Sequence, residues 1–175
     1  MVGSFVRFAA AAVFSTLIAG CASAPDIDYP SAPDQAAQQP TSHLQCVPYA
    51  RAVSGVNIFG DAWTWWQKAT GKYAKSGVPS LRAVMVLFHY AGPDRAHLAV
   101  VTAMPSSREV RIDHANWLDQ GRVYTNVPVY DMSPDNDWSV VKVYNPATRD
   151  WGTRVYDVQG FIGPGPDQDM VAATD

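Results

Sequence analysis

The sequence predicts an α+β domain in which N-terminal helices pack on an antiparallel β-sheet. Two helical patterns, opening at Cys46 and Asp61, precede five β-rich runs between Val84 and Tyr144, with short turns between the runs. Short connections suit antiparallel neighbours, because parallel strands need a crossover of about a dozen residues or more. The chain has 175 residues and a net charge of −3, which leaves no basic footprint for nucleic acid. Six Trp, eight Tyr and six Phe supply the apolar bulk for one core and a lined cleft. With the N-terminal leader set aside, the remainder suits one domain of about 130 residues.

The leader reads as a signal peptide over residues 1–20. Arg7 is followed by an apolar run from Phe8 to Ala19 that only Ser15 and Thr16 interrupt. That run is short for a spanning helix, which wants about 20 apolar residues. Leu17-Ile18-Ala19-Gly20-Cys21 resembles the lipobox of bacterial lipoproteins. The resemblance implies a diacylglycerol on Cys21, attachment to the membrane through that lipid and a place in the periplasm. Ala22, which is not the Asp that retains such proteins on the inner membrane, points to the outer membrane. The alternative is a soluble secreted product cleaved near Ala24. Residues 21–42, rich in Ala, Pro, Ser, Gln and Asp, form a flexible tether. The domain is expected over 43–160, and 161–175 as a Gly-, Pro- and Asp-rich tail that frays once Phe161 and Ile162 have packed.

Within the domain the first helix runs from Cys46 to Val53. Val47, Ala50 and Val53 fall at helical spacing, Gly55 caps the end, and Pro48 requires the helix to start beside it. Cys46 is thereby placed at a helix N-terminus, where free N–H groups favour a thiolate and lower its pKa. The second helix is expected from Asp61 as N-cap to Gly71 as stop, with Ala62, Trp65, Trp66 and Ala69 on its apolar face. Trp65 and Trp66 read as core; Trp63, at the margin of that face, reads as a cleft-lining residue. Strands are expected over 84–88, 97–103, 109–114, 122–129 and 138–144, all rich in β-branched and aromatic residues. Turn clusters around Gly92-Pro93, Pro105-Ser106, Gln120-Gly121 and Pro134-Asp135 separate them.

There are two cysteines. If lipid takes Cys21, Cys46 has no partner, and a lone thiol in an oxidising compartment is either a buried structural cysteine or a nucleophile. A nucleophilic thiol needs a base, and the base needs a third group to fix its tautomer. His97 opens the second strand, and His114 and Asn116 close the third. If these two strands are antiparallel neighbours, His97 lies beside the 114–116 segment. Alternation then puts His114 and Asn116 on one face and turns Asp113 away. The Cys46 N–H is the natural oxyanion donor, the Gln45 side chain is a candidate second donor, and Tyr49 either packs or reaches the cleft. His43 and His89 have no expected catalytic part. No spacing among the histidines, Cys46 and the carboxylates suits a zinc site, so neither metal nor cofactor is expected.

At these residues the chain resembles the CHAP family of cysteine, histidine-dependent amidohydrolases and peptidases, part of the NlpC/P60 and papain-like group. The matching features are Cys46 with Tyr49-Ala50, Gly60-Asp61-Ala62 through Trp66, the strand from Ala83 to Phe88, His97-Leu98-Ala99-Val100-Val101, and Asp113-His114-Ala115-Asn116-Trp117. The resemblance implies a papain-like fold and hydrolysis of peptidoglycan amide bonds through a thioester, with Cys46 as nucleophile and His97 as base. The chain departs from many relatives in Ala96, where they have glycine, and in His114, where they have a carboxylate. A neutral imidazole accepts a hydrogen bond but does not stabilise an imidazolium as a carboxylate does, so His97 is expected to have a lowered pKa. The expected partners are the wall peptide and the membrane, with a monomeric chain. Two rivals remain: a non-enzymatic envelope lipoprotein that binds wall peptide or a protein, and a thiol hydrolase or acyltransferase for small amides.

Overall fold

Helix α1 spans Cys46–Ser54, with Pro48 in its first turn, where a missing N–H breaks no intrahelical bond. Gly55 ends it at φ 74°, its N–H bonded to the Arg51 carbonyl. The computed structural model describes residues 44–117 and 121–164; the expected signal peptide, the tether with Cys21, and His43 lie outside the described residues. The second helix differs from expectation. A 3-10 turn over Ala62–Thr64 leads into a four-residue α2, Trp65–Lys68, and the Asp61 side chain makes no cap bond. Instead the Thr64 N–H and hydroxyl both donate to the Asp61 carbonyl, at 2.9 and 2.7 Å, which tightens the first turn.

Seven strands follow: β1 Lys75–Ser76, β2 Val84–Phe88, β3 His97–Ser106, β4 Glu109–Ala115, β5 Val123–Asp131, β6 Val140–Val143 and β7 Tyr156–Ile162. All pair antiparallel in the order β1-β7-β2-β3-β4-β5-β6, and β7 also pairs with β6. Strands β2 to β7 therefore close into a six-stranded barrel, with β1 added outside. The expectation of N-terminal helices packed on an antiparallel sheet holds in part: α1 packs on β3 and every pairing is antiparallel, but the protein is mostly β, its sheet closes into a barrel, and its helices are short. The strand that closes it, β7, carries Phe161 and Ile162, so the expected domain end at 160 falls inside it.

Alternation divides the apolar residues of β2 and β3 between two cores. Met85, Leu87, Ala99 and Val101 point into the barrel with Ile112, Val129 and Phe161. Val84, Val86, Leu98 and Val100 point outward beneath Ala50, Ile58 and Trp65 of the helical layer. Both strands are buried on both faces, which is why they read as unbroken apolar runs. On the barrel face, His97 begins β3 and His114 nearly ends β4, so antiparallel pairing brings both to one end of the barrel.

Register shifts between β3 and β4, β4 and β5, and β2 and β7 shape that barrel, and those in β5 and β7 bear on the site. In β5 two residues, Thr125 and Asn126, face one on β4, since Ile112 pairs with Val127 and His114 with Tyr124. Asn126 takes φ 53°, and its N–H donates to the Asp113 carboxylate at 2.7 Å. Asp113 thus closes a bulge on the outer side. In β7, Gln159 is the extra residue between Gly160, opposite Val86, and Val158, opposite Leu87. Gly160 has φ 143°, and an added Cβ would overlap the edge of the Trp66 ring and stand 2.9 Å from the Ser76 carbonyl. Both the backbone and the space require glycine. Gly160→Ala should therefore cost about 2–4 kcal/mol of stability, read from urea unfolding, the sum of a strained backbone and an overpacked contact. A loss below 0.5 kcal/mol, roughly the scale of a neutral surface change, would contradict this account of the contact.

Candidate active site

Cys46 is held where α1 begins, against the start of β3. The backbone N–H groups of Leu98, Val47 and Cys46 itself reach its sulfur and favour the thiolate. Burial outweighs them and pushes the thiol above its ordinary value. This corrects the expected lowering: the helix N-terminus acts in the anticipated direction, and desolvation is larger. Cys46 is unpaired and half-buried.

His97 is 2 % exposed and His114 is fully buried. Their rings meet at 3.1 Å, Nε2 of His97 to Nδ1 of His114. One nitrogen must donate, so at least one Nε2–H or Nδ1–H lies on this axis. Burial, then the neighbouring His114, holds His97 well below the usual histidine value, as the sequence anticipated. Burial alone pushes His114 down to about 3. The pair is therefore neutral at physiological pH. The other nitrogen of His114, Nε2, is buried with no hydrogen-bond partner among the described residues.

A cavity of about 750 Å³, in the usual range for small-ligand sites, is lined by Cys46, His97, Gln45, Asn116, Trp63 and Tyr90. Asn116 is separated from His114 by its own backbone. At φ 58° it leaves the strand pattern, its side-chain N–H₂ donates to Gln45 Oε1 at 2.7 Å, and its oxygen accepts the Gly121 N–H at 3.0 Å. Of the two residues expected to orient His97, His114 makes the hydrogen bond and Asn116 turns to Gln45 instead. The expectation that alternation would keep His114 and Asn116 together is corrected by that left-handed residue. With its oxygen occupied, the Gln45 amide has its N–H₂ left to serve the cavity.

Trp63 lines the cavity and is 42 % exposed, while Trp65 is fully buried. Tyr49 is not among the lining residues. It is half-buried, and its phenol is pushed up to about 12 by burial and then by the Asp113 carboxylate, which places it on the bulge side of α1. His89 is half-exposed, 3.7 Å from Asp157. Sequence reasoning missed Tyr90. Its ring lies 5.3 Å from His97 and 4.7 Å from Trp117, and its hydroxyl donates to the Trp117 carbonyl. Tyr90 sits between a strand end and a Gly-Pro turn, where no periodicity assigns a face.

The buried histidines make stability depend on pH with a definite sign. Both have folded pKa values below the unfolded value of about 6.5, so the unfolded chain binds more protons once pH falls below that value. Stability is whole above about pH 6.5 and is lost as pH falls toward the folded values, at up to about 2.7 kcal/mol per unit for the pair. Urea unfolding between about pH 6.5 and 5, above most carboxylate titration, should give that slope, and His114→Gln should about halve it. A flat profile would mean that the two rings are not buried as neutral groups.

No curated protein and no solved structure matches the chain. Residues 36–116 match the family model described as the CHAP domain, a stretch that takes in α1 to β4 and with them Gln45, Cys46, His97, His114 and Asn116. The Cys46 thiol and the buried His97 that share one cavity thus both lie on the 36–116 segment that matches the CHAP domain.

Proposed function

We propose that this protein is a peptidoglycan hydrolase that cleaves amide bonds by a Cys–His thioester mechanism. The match of residues 36–116 to the CHAP domain supports an amidase or peptidase type of hydrolase acting on the cell wall. The observation that carries the finer reading is the meeting of Cys46 and His97 in one open cavity, with the Nε2 of His97 engaged by His114.

His97 Nδ1 is then the nitrogen left to act as base. Because the resting pair is a neutral thiol and a neutral imidazole, the proton moves from Cys46 to His97 as sulfur attacks the amide carbon. The carbonyl oxygen gains negative charge and meets the Cys46 N–H and the Gln45 N–H₂. As the C–N bond breaks, His97 returns the proton to the leaving amine, and an acyl thioester remains on Cys46. Water then attacks the thioester, again losing its proton to His97, and the carboxylic acid leaves with the thiol restored. Asn116 contributes by holding Gln45, and His114 by fixing the tautomer of His97. Trp63 offers an apolar rim to the peptide.

The proposal extends to the setting: a monomer, lipid-anchored through Cys21 in the periplasm on the 21–42 tether, with the outer membrane favoured over the inner. The second reading is a wall-binding domain without catalysis. It draws on the raised thiol and the missing carboxylate, which together leave no resting thiolate–imidazolium pair.

Release of soluble peptide from purified peptidoglycan tests the first reading. Cys46→Ala should abolish release with the thermal midpoint unmoved, and unchanged turnover would sink the mechanism. Gln45→Ala should lower kcat by about 10²–10³, the usual effect of losing one oxyanion donor. Asn116→Ala should lower it by about tenfold, because Gln45 remains but is no longer held. Mass spectrometry of the digest identifies the bond. A wild-type protein that binds the wall and releases nothing would establish the second reading.

A further inference from the structure

One wall of the cavity is the 89–96 loop between β2 and β3, which brings Tyr90 against His97. Two backbone–backbone hydrogen bonds are internal to it, the Tyr90 N–H to the Arg95 carbonyl and the Arg95 N–H to the Gly92 carbonyl, while the Tyr90 hydroxyl reaches the Trp117 carbonyl. Neither backbone bond ties the loop to the barrel. On its inner side the Tyr90 ring is packed by His97 and Trp117, and by Tyr156 at 6.3 Å. At its start, His89 faces Asp157 at 3.7 Å, an exposed pair of little strength.

The loop's outer side is held by Arg154, from the segment between β6 and β7. Its guanidinium donates to the Tyr90 carbonyl and lies 4.7 Å from the Tyr156 ring centre and 6.0 Å from that of Tyr90. One cation thus engages the loop backbone and two aromatic rings, of which Tyr90 lines the cavity. Both Arg154 and Tyr156 lie beyond the 36–116 segment that matches the CHAP domain.

We propose that Arg154 is a positioning residue for this site, latching the 89–96 loop in place as the wall beside His97 and so setting both the grip on substrate and access to Cys46. The inference rests on the cavity being the active site. It places part of the site's control in the C-terminal half of the chain.

The test uses the full chain with Arg154→Ala and Arg154→Lys, soluble wall peptides as substrate, and iodoacetamide as a probe of Cys46. Arg154→Ala should raise KM by about tenfold while kcat stays within about threefold, since the loss falls on substrate binding rather than on the reacting groups. Cys46 should be alkylated about fivefold faster in Arg154→Ala, because reactivity follows access as well as thiolate fraction. Arg154→Lys should recover part of both, since an ammonium can reach the same carbonyl but cannot stack on the rings. Unchanged KM and alkylation rate in Arg154→Ala would overturn the inference, as would losses matched by a lowered thermal midpoint and a smaller folded fraction. If the wild type cleaves no wall peptide, the proposed function fails, and the alkylation rates still decide whether Arg154 latches the loop.

Discussion

The hydrogen bond between His97 and His114 lies inside the end of a closed barrel, and its burial sets the terms for everything around it. Two imidazoles 3.1 Å apart cannot both be charged without severe repulsion, and among the described residues no carboxylate is paired with either. Both are therefore held neutral, and the walls that keep them so are aromatic. Trp117 lies 4.8 Å from His97 and 5.3 Å from His114, while Tyr90 and Tyr124 cover further sides. The unpartnered Nε2 of His114 has a cost, since a buried polar nitrogen without a bond loses about 1–3 kcal/mol. The fold bears it by closing β7 on β6 and β2, which fills the barrel with apolar side chains behind the pair.

That arrangement changes the chemistry available to Cys46. A carboxylate as third residue would raise the histidine pKa and favour an ion pair with the thiolate at rest. His114 does neither, so under the proposed mechanism thiol and base begin uncharged and separate charge only as the sulfur attacks. The same low dielectric that disfavours the resting ion pair strengthens the donors aimed at the developing oxyanion. Gln45 gains importance in such a site, and the bond from Asn116 that occupies its oxygen fixes which end of the amide faces the cavity.

The site was more legible in the sequence than the architecture. Cys46 could be placed because Pro48 and Gly55 mark both ends of one helix, and His97 because an unbroken apolar run follows it. The five central strands were visible because each is rich in β-branched and aromatic residues and lies between turn clusters. β7 was not, since Gln159 breaks its period: Val158 and Phe161, three residues apart, both reach the barrel core. Without β7 the sheet looks open, and an α+β layer is the natural inference. The role of Asn116 was hidden for a similar reason, since its φ of 58° defeats the alternation that assigned it to the face of His114. Asp113 shows the converse, for alternation alone turned it outward and the structure gives its carboxylate a bulge to close.

The division of labour along the chain follows from where each half lands. The segment that matches the CHAP domain supplies the thiol, both histidines, Gln45 and Asn116, yet it ends at β4 and leaves the barrel unclosed. β5 brings Tyr124 beside His114, and β7 brings Tyr156 against Trp117 at 5.0 Å. The dryness that keeps the histidine pair neutral is thus completed by residues outside the matching segment. A chain cut after Asn116 would retain every reacting group but expose the face of the barrel that His97 and His114 share. Water would then reach both imidazoles, and their pKa values would return toward the ordinary range. The groups proposed to react belong to the first half of the domain, and residues of the second half complete the environment that sets their protonation.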